Sequence, residues 1–114
     1  MASNTTITTV LGIDNCRTIA FGAIGALYVP IGNMIENSGR MIFLQNWTDG
    51  DLWFSNNGID DKFPLRAGDK IVLDITTNQS FGRGLFLPYG SYLYVKQKTV
   101  PTSGEVHFTL FCGE

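Results

Sequence analysis

The chain has 114 residues and a formal net charge of −2, and charged residues make up only 16% of it. That length suits one domain, which buries roughly two-thirds of the surface that its unfolded chain exposes. The eight Lys and Arg residues are scattered, whereas nucleic-acid binders normally show a basic stripe, so we expect no nucleic-acid partner. Because soluble domains average about 25% charged residues, so sparse a charge favours an oligomer or a larger assembly.

The first 39 residues are poor in charge and rich in small residues. They include an uncharged stretch, 18–35, that is about long enough to span a bilayer. Glycines and a proline interrupt it and no basic cluster flanks it, so we interpret it as buried or partner-covered strands and expect no membrane partner. We expect a single domain, 1–114, in which residues 1–39 form an apolar, glycine-rich arm or outer strands on a compact core of residues 40–114.

Cys16 and Cys112 lie near opposite ends of the chain. The first ten residues lack the basic region of a secretory signal. In a reducing compartment free, buried thiols are expected rather than a disulfide, although the sequence does not show whether the two cysteines meet. The three Asn-x-Ser/Thr matches, at Asn4, Asn46 and Asn78, have no consequence there, because such sites matter in secreted proteins.

From Arg40 onward, short apolar runs alternate with turn signals. In the segment 105–112, apolar residues occupy nearly every second position, and 70–78 and 92–97 behave similarly. This period of two is typical of half-buried strands. Glycine, Asn and Asp clusters separate the runs, as turns require. We therefore predict an all-β fold, a single β-sandwich or jelly-roll-like domain of about eight strands. The predicted core is Ile42, Leu44, Leu52, Phe54, Ile71, Leu73, Leu93, Val95, Val106, Phe108 and Leu110.

The stretch "RMIFLQNWTDGDLWFSNNG", 40–58, contains both tryptophans of the chain. Aromatic rings stack on sugar faces, so a glycan-binding platform is one interpretation. Trp47 and Trp53 also flank a turn at near-symmetric positions, which suits a cross-strand aromatic pair instead, and packing is the interpretation that we favour. The glycan platform of the alternative hypothesis consists of Trp47, Trp53, Tyr89, Tyr92 and Tyr94.

Candidate catalytic residues are few. His107 is the only histidine and lies on the polar side of a predicted strand. No Gly-x-Ser-x-Gly elbow, which would present a nucleophilic serine, is present. The acid pairs Asp49 with Asp51 and Asp60 with Asp61 border turns, where carboxylates usually stabilise the turn or are solvated. One histidine and two distant cysteines do not complete a zinc site, and a loop-bound calcium ion is the remaining alternative. We predict no enzyme activity, no catalytic or metal-ligating residue and no cofactor.

Three stretches carry a resemblance: "MIFLQNWTDGDLWFSNNGIDDKFPLRAGDKIVLD" at 41–74, "GLFLPYGSYLYVKQ" at 84–97 and "PTSGEVHFTLFCGE" at 101–114. Their strands and turns resemble small virion proteins of tailed phages, and most of all the capsid decoration (staple or cement) proteins of short-tailed phages. The resemblance covers about two-thirds of the chain and lies in turns and strand faces. The first forty residues do not take part in it.

The resemblance implies a structural virion protein that binds the major capsid protein and stabilises the phage head. It implies assembly in the cytoplasm of the bacterial host, a final place on the capsid surface and a homo-oligomer, with a dimer favoured. A head fibre or a collar or tail adaptor of the same fold, and a glycan-binding module, are the alternatives. We expect the partner contact in the apolar arm, at Ile19, Phe21, Ile24, Leu27, Tyr28, Val29 and Ile31.

Overall fold

A computed structural model describes residues 12–36, 39–74 and 90–112. Within them a 3₁₀ turn, Phe21–Ala23, is the only helical element, so the predicted all-β fold is confirmed. The strands are β1 (Gly12–Ile13), β2 (Arg17–Ala20), β3 (Val29–Pro30), β4 (Gly39–Asn46), β5 (Leu52–Ser55), β6 (Phe63–Leu65), β7 (Lys70–Asp74), β8 (Tyr94–Gln97) and β9 (Glu105–Cys112).

The described strands form two antiparallel sheets that pack face to face as a β-sandwich. Sheet A has the order β1-β9-β4-β7, and β2 also pairs with β9. Sheet B has the order β3-β8-β5-β6. The consecutive strands β4 and β5 therefore lie in different sheets. The turn between them passes from one layer to the other, and the prediction of a cross-strand pair between Trp47 and Trp53 is wrong.

The core lies between the two sheets and matches the predicted set. Nine of the eleven predicted core residues are buried, and Ile71 and Leu73 are partly buried against them. The alternation of buried and partly exposed positions is regular along β4 and β9, because successive side chains of a strand point to opposite faces. Four further residues, which the pattern missed, complete the core: Ile24, Ile31, Ile35 and Leu65.

The described part of the N-terminal segment forms outer strands of the sandwich. β1 and β2 follow one another along β9, and β3 pairs with β8 at the edge of sheet B. Ile31 and Ile35 between β3 and β4 are completely buried. Residues 12–36 thus contribute both edge pairing and core volume. Residues 1–11 of the predicted arm lie outside the described residues.

Several of the predicted turns and one of the two cysteine side chains lie in the described part of the chain. The turn signals at 56–58, 66–69 and 101–104 each include a glycine with positive φ, namely Gly58, Gly68 and Gly104. Cys16 is a free thiol, but it is exposed rather than buried. The side chain of Cys112, and the residues that follow β7 up to 89, lie outside the described part. No described helix has the length and apolar character needed to cross a membrane.

Candidate functional site

The turn with the sequence "NWTDGD" is built around a buried asparagine. Asn46 ends β4 with a fully buried side chain. Its Nδ2 donates to the carbonyl oxygens of Gly50, at 2.9 Å, and Arg66, at 3.0 Å. Its Oδ1 accepts from the Thr48 backbone N–H at 3.0 Å and from the Thr48 hydroxyl at 2.7 Å. Asn46 therefore joins the β4–β5 turn to the β6–β7 connection and has a structural role.

The two aspartates of this turn bind backbone amides of neighbouring loops. Asp49 accepts from the N–H groups of Thr102, at 2.7 Å, and Ser103, at 3.2 Å, and from the Thr102 hydroxyl. The hydrogen bond from that hydroxyl, and next that from the Thr102 N–H, lower the pKa of Asp49. Asp51 accepts from the Ala67 N–H at 3.1 Å. Both carboxylates therefore stabilise loops, which explains the acids without a catalytic role.

The second acid pair is also engaged in hydrogen bonds. Asp60 accepts from Asn57 Nδ2 at 2.9 Å. Asp61 accepts from the Tyr28 hydroxyl at 2.6 Å and lies 3.1 Å from Lys96 Nζ. The hydrogen bond from Tyr28 and next that from Lys96 lower the pKa of Asp61. In the described part of the chain, no three His, Cys, Asp or Glu side chains are grouped so that they could hold a metal ion.

The predicted partner contact divides into buried and exposed residues. Ile24 and Ile31 belong to the core of the sandwich, so the prediction that they contact a partner is wrong. Ile19 and Val29 are partly buried and pack against the same core. The apolar composition of this segment therefore reflects, in large part, the packing of the chain itself.

The other three predicted contact residues retain exposed surface. Leu27 is 81% exposed and Phe21 is 38% exposed. Tyr28 is half-buried, and burial together with the hydrogen bond to Asp61 raises the pKa of its hydroxyl well above the usual range.

The predicted glycan platform is divided between the two sheets. Trp53, Tyr92 and Tyr94 lie on sheet B or next to it, and the rings of Tyr92 and Tyr94 are 6.0 Å apart. Trp47 follows β4 of sheet A and packs edge-on against His107 instead. Tyr89 lies outside the described residues. The structure therefore brings the rings of Tyr92 and Tyr94 together and places Trp53 on the neighbouring strand, diagonal to Tyr94.

Neighbouring groups already cover the aromatic side chains of sheet B. Lys98 Nζ lies 5.7 Å from the centre of the Trp53 ring. The Gly58 backbone approaches Tyr94 so closely that a Cβ at Gly58 would lie 3.3 Å from the ring. A sugar that stacked on Trp53 would have to displace the lysine and lose its cation–π interaction.

The outer face of sheet A exposes an apolar surface that the sequence reasoning missed. The strand register places six of its uncharged positions in two adjacent cross-strand rows, and Asp74 follows Met41 at the β7 end of one row. Ile13 is 69% exposed and Val72 is 61% exposed, and the other four are partly exposed. We call this surface the sheet A patch, and it consists of Ile13, Met41, Phe43, Val72, Thr109 and Phe111. None of the six is charged.

The same face is polar beyond the sheet A patch. The next cross-strand row consists of Thr18, His107, Gln45 and Lys70. His107 is 3.1 Å from Glu105 through Nε2 and 3.8 Å from the Cys16 sulfur through Nδ1. Cys16 and His107 are 91 positions apart in the chain, and for this reason neither spacing nor motif could predict their contact.

Comparisons of the chain with protein-family models, with curated proteins and with solved structures gave no match. The geometry of the described residues is therefore the basis for a functional proposal, together with the resemblance of the sequence motifs.

Proposed function

We propose that this chain is a non-enzymatic structural protein of a phage virion, which binds the major capsid protein and stabilises the head from its outer surface. The observation that carries this proposal is the sheet A patch. The solvent side of an antiparallel sheet is normally polar. An apolar patch on that face, bordered by Asp74 and by the row of His107 and Lys70, therefore favours a surface that a partner covers.

The energy available from such a surface suits a protein that cements a shell. Burial of apolar area contributes about 25 cal/mol per Å², before the costs of association are subtracted. A shell repeats the same contact at each symmetry-related position, so a modest contact is sufficient. Self-association around a two-fold axis, the commonest closed symmetry, forms part of the proposal. The protein would be assembled with the head in the host bacterial cytoplasm.

A pair of exposed valines offers a matched test of the capsid contact. Val72 lies in the sheet A patch at 61% exposure, whereas Val100 lies in the loop before β9 at 68% exposure. Val72→Lys places a charge inside the proposed contact and should abolish co-sedimentation with empty phage heads. Val100→Lys adds the same charge elsewhere and should leave co-sedimentation intact. Equal binding by the two variants would refute the assignment of this face.

The copy number in purified virions separates a decoration protein from related roles. A decoration protein is present on the order of hundreds of times, because it follows the symmetry of the shell. A collar, tail adaptor or head fibre of the same fold would be present about a dozen times or fewer. Densitometry of virion proteins measures this number directly.

Glycan binding in host recognition is the second candidate, because the rings of Tyr92 and Tyr94 contact each other and Trp53 lies on the neighbouring strand of sheet B. It requires that added saccharide quench tryptophan fluorescence and that Trp53→Ala abolish the effect. Because Lys98 covers the Trp53 ring, we expect no quenching. Quenching that Trp53→Ala removes would favour the glycan-binding function over the structural one.

A further inference from the structure

A β-bulge brings the thiol of Cys16 to the only histidine of the chain. Ile13 pairs with Phe111 and Arg17 pairs with Phe108, so three residues of the edge strand oppose two residues of β9. Such a bulge changes the direction of the side chains that follow it. Arg17 turns inward over the Phe108 ring, and Cys16 is exposed, with its sulfur 3.8 Å from His107 Nδ1.

The partners of the imidazole define which nitrogen carries the proton. A carboxylate only accepts hydrogen bonds, so the 3.1 Å contact with Glu105 Oε2 assigns an N–H to Nε2 of the neutral ring. The Nδ1 lone pair then faces the Cys16 thiol, whose other acceptor is the Arg17 carbonyl oxygen at 3.7 Å, and, at 3.4 Å, the Thr18 hydroxyl. Trp47 packs edge-on against the imidazole with ring centres 4.9 Å apart, which helps to hold this orientation.

From this arrangement we propose that Cys16 is a thiol-modification site, which forms mixed disulfides with small organic disulfides while His107 accepts the thiol proton. The order of groups is that of an activated cysteine: a sulfur, a base within reach, and a carboxylate that orients the base. The proposal does not depend on the virion function, because it concerns a reaction of this chain alone.

The surroundings of the thiol are accessible and polar. Cys16 lines an open cleft of about 350 Å³, large enough for a small disulfide. The charged side chains around the cleft are Asp14, Arg17 and Glu36, of which Asp14 and Arg17 pair with each other at 3.3 Å. On the imidazole side, the titratable groups are Glu105 and, two strands away in the same cross-strand row, Lys70.

The exchange step is balanced in atoms and electrons. His107 Nδ1 takes the proton of the Cys16 thiol, and the resulting thiolate attacks one sulfur of the disulfide. A bond forms between Cys16 Sγ and that sulfur, while the disulfide bond of the reagent breaks. The departing thiolate takes the proton from the imidazolium and leaves as a thiol. The only co-reactant is the organic disulfide itself.

The test uses 4,4′-dithiodipyridine, a neutral disulfide, with the full chain and a tryptic digest. Trypsin cleaves after Arg17 and Lys98, so Cys16 is released in peptide 1–17 and Cys112 in peptide 99–114. Mass spectrometry of samples quenched at increasing times then gives a separate rate for each thiol. We expect the Cys16 adduct to form first at pH 7.

Two variants test the roles of His107 and Glu105 in this reaction, and a third serves as the control. His107→Gln should slow formation of the Cys16 adduct about tenfold or more at pH 7, because a general base is lost. Glu105→Gln should produce a smaller slowing, because the amide no longer requires the N–H on Nε2. Asp69→Asn removes an exposed carboxylate elsewhere and should react like the parent. At about pH 10, where simple thiols ionise without help, the parent and His107→Gln rates should converge.

The same measurements can overturn the proposal. Equal rates for the parent and His107→Gln between about pH 6 and 8 would show that the imidazole does not act on the thiol. A rate for Cys112 that equals or exceeds that of Cys16 would also refute it. Circular dichroism of each variant verifies that the fold is retained, and if His107→Gln is unfolded, Glu105→Gln in comparison with Asp69→Asn decides the question.

Discussion

At the scale of single residues, the buried side chain of Asn46 holds the β4–β5 turn together through hydrogen bonds. Its amide satisfies carbonyl groups of two connections, and its oxygen accepts twice from Thr48. Asn46→Ala leaves these groups without their partner inside the fold, so the free energy of unfolding should fall by about 3 kcal/mol. Asn33→Ala, at an exposed position, should change it by less than about 0.5 kcal/mol. Urea unfolding measures both; similar losses would contradict a special role for Asn46.

The carboxylate of Asp49 predicts how this turn responds to acid. Thr102 lowers the pKa of Asp49 below its ordinary value of 3.8. A lowered pKa in the folded state contributes stability above the ordinary value, and this contribution is lost as the pH falls through the folded-state pKa. The loss of unfolding free energy in Asp49→Asn should therefore be largest at neutral pH and shrink below 3.8. A Thr102→Val background, which keeps the backbone N–H, should weaken this dependence, and an unchanged dependence would exclude the Thr102 hydroxyl as its cause.

At the scale of elements, the segment around β3 belongs to the sandwich. Ile31 is 0% exposed, whereas Leu27, four positions earlier, is 81% exposed. Ile31→Ala should lower the free energy of unfolding by about 2–5 kcal/mol, because it leaves a cavity in the core. Leu27→Ala should change it by about 0.5 kcal/mol or less. Denaturant unfolding of the two variants distinguishes core from surface; a small effect of Ile31→Ala would restore the interpretation of this segment as a separate arm.

The strand faces could be predicted from the sequence, but the sheet arrangement could not. The alternation along β4 and β9 identified core residues such as Ile42 and Phe108 correctly, because the period of two is a local property. That same period does not say which strands pair, so the passage of the chain between sheets at Trp47 was missed. Ile31 lies in a stretch without alternation, and the contact of Cys16 with His107 depends on the pairing of β2 with β9.

At the scale of the whole molecule, the two outer faces differ in character. The face of sheet A presents the sheet A patch to solvent, bordered by Asp74 and by the row of His107 and Lys70. The face of sheet B carries aromatic rings, and lysines lie over two of them, Tyr28 and Trp53. The sheet A patch is the side that the proposed partner would cover.

The shared core predicts that both layers unfold together. Residues of sheet A, of sheet B and of the segment before β4 all belong to one buried cluster. Small domains of this kind usually unfold in a single cooperative transition. The two tryptophans report on different layers, since Trp47 packs on His107 in sheet A and Trp53 lies in sheet B. In Trp47→Phe and in Trp53→Phe, the urea curves from fluorescence and far-ultraviolet circular dichroism should therefore superimpose within each variant. Comparison within a variant removes the effect of the substitution itself, and a fluorescence transition separated from the dichroism transition would show that one sheet unfolds before the other.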